Sequence, residues 1–402
     1  MKLFLIAGEP SGDKLGAALM AGLKQLNPDI QFEGVGGPLM QAEGLQSLFP
    51  MDELSVMGLV EILPKYRHLM RRITETAEAV LAARPDALIT IDSPDFSFRV
   101  AKRVKATSDI RTVHYVAPTV WAWRSSRAEK MSAYIDHVLA LFPFEPPYME
   151  AHGMRCDFVG HPVVTDPKPN WAESEVFQQA NYFSGLKLCV LLGSREGEIR
   201  RLAPIFGDAL KKIAYEFTDL NIVLPVAPGR EDVMYEMTRD WYHPPVLTDW
   251  YTSETRKLRD PNSTAPILLT GDHGFSKPSV FGACDIALAA SGTVSLELAA
   301  AGLPMVIAYD MNWLSRHLIK RMLKIDTVTL VNLVSETRTV PEFLGAECTA
   351  DNIAQAVMDL ADDTAQQAAQ KEAMALTMER LGDGGDAPGL RAARAILEGI
   401  KG

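Results

Sequence analysis

The sequence is poor in cysteine: Cys156, Cys189, Cys284 and Cys348 are the four among 402 residues, and no CxxC pair occurs. That spacing argues against a zinc site and a disulfide framework, and leaves the four as small apolar side chains in a reducing cytoplasm. Long hydrophobic runs are also missing. None approaches the roughly 18 apolar residues that a bilayer-spanning helix needs, so membrane contact is expected to be peripheral. The opening run Lys2-Leu3-Phe4-Leu5-Ile6-Ala7 is too short for a signal peptide and reads as a strand. The dinucleotide fingerprint GxGxxG is absent from Gly8-Glu9-Pro10-Ser11-Gly12-Asp13. It also fails at Gly34-Val35-Gly36-Gly37-Pro38, where Leu39 stands in place of the last glycine. A nicotinamide cofactor is therefore not expected. Nor is there an excess of positive charge: 40 Lys+Arg against 51 Asp+Glu give a net charge of −11, which argues against a nucleic-acid partner.

What is present is the composition of a globular α/β protein, 47% apolar and 23% charged, on a chain long enough for two domains. Residues 1–163 alternate strand and helix about six times, a complete doubly wound domain. In open α/β sheets ligands bind beyond the carboxyl ends of the strands, so the strand ends carry the candidates. After the first strand, the glycines and Ser11 of the 8–13 loop suit an anion or a sugar. After the strand at 87–91 come Asp92, Ser93 and Asp95. The two carboxylates suit acid–base work, and Ser93 or Asp95 equally suits a helix cap. The strand at 111–116 runs into Val120-Trp121-Ala122-Trp123-Arg124. Two tryptophans and an arginine there can stack on sugar, line a lipid slot or pack in the core.

Residues 54–72 pass from an apolar segment (Met57, Leu59, Val60, Ile62, Leu63) into a basic one (Lys65, Arg67, Arg71, Arg72). That pairing fits a peripheral membrane surface with anionic headgroups, or a core helix with a basic outer face. A second apolar–basic stretch runs over 313–324. Residues 166–186 begin polar and proline-rich and read as a linker. The strand–helix pattern then restarts at 187. Gly193-Ser194-Arg195 forms a turn into a helix over 199–216, where a serine and an arginine fit a diphosphate. Residues 239–265 show poor periodicity and read as an inserted loop, and 327–333 read as a short strand. The stretch 285–306 reads strand, turn, helix, strand. Its turn, Ser291-Gly292-Thr293, opens a helix whose first amides suit phosphate, and Glu297 on the same face suits a ribose diol. The alternative is that Ser291 caps the helix and Glu297 is a solvated charge. Residues 351–402 read as helix, broken at 382–385.

Taken together, the 8–13 loop, Val56-Met57-Gly58, Ile91-Asp92-Ser93-Pro94-Asp95-Phe96, the tryptophan–arginine stretch, Gly193-Ser194-Arg195 and Ser291-Gly292-Thr293 resemble the lipid-A-disaccharide synthase family in order and spacing. The resemblance implies a GT-B fold: two doubly wound Rossmann-like domains, 1–165 and 187–375, facing across a cleft, with a closing helix in 376–402 packing back on an N-terminal domain. It implies inverting, metal-independent transfer of 2,3-diacylglucosamine from its UDP carrier to 2,3-diacylglucosamine 1-phosphate, without a cofactor, at the inner face of a Gram-negative cytoplasmic membrane. A homodimer is compatible with it. On this reading Asp95 is the base, with Asp92 and Glu9 as alternatives. Ser194, Arg195, Ser291, Gly292, Thr293 and Glu297 hold the donor, and Ser11, Trp121, Trp123 and Arg124 the acceptor. Residues 54–72 meet the membrane. Leu192 and Val331 stand where the family usually has proline, which affects loop rigidity more than chemistry. Rival readings are another GT-B enzyme of UDP-sugars, such as an N-acetylglucosaminyl transferase or an epimerase, and a non-catalytic UDP-sugar or lipid-binding protein.

Overall fold

The contiguous apolar runs form strands buried along nearly their whole length, as sheets covered by helices on both faces require. The computed structural model describes residues 1–54, 59–121, 126–241, 246–248, 267–269, 274–310 and 326–401; for 59–65 and 246–248 it describes the backbone alone. Met57, Trp123 and Arg124 lie outside the described residues, as do the 313–324 stretch and most of 239–265. The side chains of Leu59, Val60, Ile62, Leu63 and Lys65 do as well. The chain divides into two compact units: Met1–Thr165 with Leu381–Gly402, and Asp166–Arg380.

In the first unit the elements are β1 (Lys2–Ala7), α1 (Pro10–Leu26), β2 (Gln31–Val35), α2 (Pro38–Ala42), β3 (Gln46–Ser47), α3 (Leu59–Ala83), β4 (Ala87–Ile91), α4 (Pro94–Lys105), β5 (Arg111–Tyr115), α5 (Ser126–Met131), β6 (His137–Ala140), α6 (Pro146–Glu150) and β7 (Arg155–Phe158). Every strand pair is parallel, in the order β3-β2-β1-β4-β5-β6-β7. The strand order reverses between β1 and β4, which opens a crevice at their carboxyl ends.

The second unit begins with α7 (Trp171–Ala180), inside the segment expected as a linker. Asn170 caps α7, accepting from the amides of Ala172 and Glu173, so the polar residues there start a helix. β8 (Lys187–Leu191), α8 (Glu196–Glu216), β9 (Asn221–Pro225), α9 (Glu231–Thr238), β10 (Val246–Thr248), β11 (Ile267–Leu269), α10 (Lys277–Gly282), β12 (Ile286–Ala289), α11 (Val294–Ala300) and β13 (Met305–Tyr309) follow. Then come α12 (Leu330–Ser335), β14 (Glu342–Leu344), α13 (Ala350–Asp362) and α14 (Thr364–Arg380). This sheet is also parallel, in the order β10-β11-β9-β8-β12-β13-β14, with its reversal between β8 and β12.

Residues 327–333 are not a strand. Leu330–Ser335 is helical, and its buried Asn332 donates to the Val340 carbonyl (2.9 Å) and accepts from the Val340 amide (3.1 Å). Those paired bonds outweigh the β preference of the threonines and valines around them. The chain closes with α15 (Pro388–Lys401), which returns to the first unit and packs on α1. Gly389 lies so near α1 that any side chain there would run into the Ala18 carbonyl. Arg391 donates to the Phe158 carbonyl at 3.0 Å, and the His161 amide to Leu381 at 3.1 Å, tying the returning segment to the end of β7.

Candidate functional site

Each unit places its chemistry-bearing loops at its own point of strand reversal. In the first unit the loops after β1 and β4 meet there. Gly8 lies against Ser93: a Cβ on Gly8 would come within 2.6 Å of the Ser93 hydroxyl, so the two loops can approach this closely only with glycine at position 8. Asp92 and Ser93 both take left-handed backbone angles, φ 52° and 43°. Two consecutive non-glycine residues in that region store strain, of the kind held at functional sites. The Asp92 amide donates to Tyr115 (3.0 Å) and its carbonyl accepts from the Ser97 hydroxyl (2.9 Å), which holds the turn. Ser93 occupies the N-cap of α4 without a side-chain capping bond, so the capping alternative fails for it. Ser11 donates a long 3.4 Å bond to the Asp92 carboxylate. Asp95 is exposed in the first turn of α4, where the helix start favours a negative charge. Glu9 is half-buried at the N-cap of α1. Glu9 and Ser11 at the start of α1, and Asp92 and Asp95 at the turn into α4, thus follow the adjacent strands β1 and β4.

Asp13 has a part that sequence reasoning missed. It is 2% exposed, and its carboxylate accepts from the amides of Gly37 (2.9 Å), Leu39 (2.9 Å) and Met40 (3.0 Å). It satisfies the start of α2 from a neighbouring helix. No sequence signal marked it, because the amides it serves lie 24 to 27 residues further along the chain.

Trp121 is a correction. It is 7% exposed, with its ring edge-on to Phe144 at 5.0 Å, so it is an internal brace and offers no free face to a sugar. Its indole N–H donates to Glu145 at 3.3 Å, and the other Glu145 oxygen accepts from the amides of Leu141 (3.1 Å) and Phe142 (3.0 Å). Burial pushes the Glu145 carboxyl up to about 7, against the pull of these donors toward the charged form. The folded state therefore holds this proton more tightly than the unfolded chain. The stabilising contribution is whole below the ordinary glutamate value of 4.5 and is lost as pH rises through about 7. Glu145→Gln should remove that loss: between about pH 5 and 7.5 wild type should lose on the order of 2 kcal/mol relative to the variant in urea melts. Parallel pH profiles for the two proteins would refute it.

Arg72 is the second correction. Its guanidinium donates to Glu53 (2.8 and 2.9 Å) and Glu75 (2.8 Å) and lies 4.3 Å from the Phe49 ring centroid, so it faces the protein. Arg67 and Arg71 are exposed on α3, with Arg71 3.2 Å from the His68 ring.

In the second unit, Gly193-Ser194-Arg195 follows β8 and Ser291-Gly292-Thr293 follows β12, adjacent strands at the reversal. The Arg195 side chain is 70% exposed and bonded to Glu198 at 3.0 Å; Glu198 also accepts from the Tyr309 hydroxyl at 3.3 Å. Arg230, between β9 and α9, donates to the Ser194 carbonyl at 3.0 Å. Two guanidinium groups thus flank one turn, an arrangement suited to a diphosphate. Thr293 is the N-cap of α11 but makes no side-chain capping bond, and Ser291 precedes the cap. Glu297 pairs with Lys277 of α10. Arg230 follows a Pro-Gly turn at a strand end, a signal that was readable; Lys277 carried none, because its partner lies 20 residues away.

A protein-family model described as lipid-A-disaccharide synthetase matches residues 3–258 and 268–385. The lipid-A-disaccharide synthase of Ruegeria pomeroyi is 59% identical over 403 residues, covering 100% of this chain and 96% of that protein. Among solved structures, the UDP-GlcNAc 2-epimerase of Neisseria meningitidis aligns with a TM-score of 0.59 at 12% identity, covering all of both chains. MurG of Acinetobacter baumannii aligns at 0.57 and 14%, covering 100% of this chain and 99% of that one. The two parallel-sheet units are those of the GT-B fold. With the family model matching nearly its whole length, the chain belongs to the lipid-A-disaccharide synthetase family.

Proposed function

We propose that the protein transfers 2,3-diacylglucosamine from UDP-2,3-diacylglucosamine to 2,3-diacylglucosamine 1-phosphate, giving the β-1,6-linked disaccharide 1-phosphate and UDP. The observation that carries this reading is the pair of strand-reversal loops, carboxylates in one unit and guanidinium groups with a small-residue turn in the other. The acceptor 6-hydroxyl oxygen forms its bond to the donor C1 as the C1–oxygen bond to UDP breaks, with inversion. The hydroxyl proton passes to Asp95, with Asp92 and Glu9 next in line. Arg195, Ser194 and the amides around Gly292 and Thr293 stabilise the charge that develops on departing UDP, which supports a metal-independent reaction. Glu297 accepts from the ribose hydroxyls. Ser11 lies on the acceptor side. Trp121 braces that side from within, and Trp123 and Arg124 follow it in the chain. Purified protein given both acylated substrates should release UDP and form the disaccharide; no UDP release sinks the reading.

Among the described residues no helix is long and apolar enough to cross a membrane. Both substrates carry acyl chains, and residues 57–71 provide an apolar segment followed by the exposed cations Arg67 and Arg71. They support peripheral contact with an anionic membrane. At roughly 1 kcal/mol per basic residue near such a surface, replacing Lys65, Arg67 and Arg71 with glutamate should weaken binding to anionic vesicles at least about tenfold. Equal binding by the variant would count against this patch.

A further inference from the structure

We infer that Lys277 is a positioning residue for recognition of the donor's ribose: it holds Glu297 in the orientation in which the carboxylate accepts from the ribose hydroxyls. The inference rests on the reading of the second unit as the UDP-binding one. Glu297 alone is poorly suited to that task. Its side chain is 37% exposed and has three free torsions, so ordering it on binding costs rotamer freedom. Its negative charge near a diphosphate is also repulsive. Lys277 addresses both. Its ammonium engages one carboxylate oxygen, Oε2, offsets the charge, and leaves the carboxylate with lone pairs for two hydroxyl donors.

Lys277 is itself restrained. It is the first residue of α10, which leads into β12, and in a parallel α/β unit a helix starts at the ligand-binding edge of the sheet. Ser276 caps α10 through the Ser279 amide (3.4 Å), and Glu173 of α7 accepts from the hydroxyls of Ser276 (3.0 Å) and Ser279 (2.6 Å). Beyond them, the Lys277 ammonium lies 5.5 Å from the ring centroid of Phe281, a residue 1% exposed. An exposed lysine–glutamate pair contributes little to stability, so this support finds its use in orienting a ligand group.

The test compares UDP with 2′,3′-dideoxy-UDP by titration calorimetry on the full chain. Wild type should prefer UDP by about ten- to hundredfold, the contribution of hydroxyl bonds to a charged acceptor. Lys277→Met should cut that preference at least about threefold with the melting temperature unchanged, Lys277→Arg should keep it, and Glu297→Gln should bring it near one. Adding Lys277→Met to Glu297→Gln should change nothing further. A Lys277→Met protein with the wild-type preference overturns the inference, whether or not its melting temperature falls. Wild type that fails to bind UDP, or binds both nucleotides equally, overturns the donor reading itself, and the inference with it.

Discussion

Asp95→Asn should lower turnover by about 10²- to 10⁴-fold while leaving the dissociation constant for UDP unchanged. The substitution keeps the shape of the side chain and removes its capacity to take a proton. Asp95 is exposed, so the exchange leaves no buried group unpaired and the fold should tolerate it. The turn that presents it is fixed by other atoms: the Asp92 amide on Tyr115 and the Ser97 hydroxyl on the Asp92 carbonyl. A loss of turnover with intact donor affinity is then a loss of the proton acceptor. Full turnover in Asp95→Asn, with loss in Asp92→Asn or Glu9→Gln, would transfer the role to that residue.

The largest stability effect should come from Asp13→Ala. Its buried carboxylate accepts three amide hydrogens at the start of α2, and alanine leaves all three donors without a partner. The bonds from Gly37 and Met40 are buried and that from Leu39 is partly so; leaving them unpaired costs on the order of 3–5 kcal/mol. An asparagine side chain has one carbonyl oxygen where two carboxylate oxygens served, so Asp13→Asn should fall between alanine and wild type. Urea unfolding of both variants checks this. A cost below about 1 kcal/mol for alanine would mean that water or a shifted loop satisfies the amides.

The architecture was legible because strands buried between helices must be apolar throughout, and such runs stand out between polar helix starts: 2–7, 87–91, 187–192 and 285–290 all read directly. The loops at the strand reversals were legible for the same reason, since a strand end locates the turn beyond it. Partnerships across the fold were not. Trp121 and Glu145 are 24 residues apart, Arg72 and Glu53 are 19 apart, and only folding brings each pair together. A tryptophan or an arginine viewed by itself suggests a surface role, while its partner makes it internal. Residues 327–333 misled by composition, because threonine and valine favour strands until the buried amide of Asn332 finds the Val340 backbone.

The return of α15 to α1 has a consequence for the order of events during synthesis. The first unit is made from both ends of the sequence, with 215 residues of the second between them, Asp166–Arg380. A growing chain has produced all of the second unit before the helix that covers α1 leaves the ribosome. The second unit, continuous in sequence, can fold while translation proceeds. The first waits with the apolar face of α1 uncovered, so its exposure time to chaperones and to aggregation is set by the translation time of the other unit.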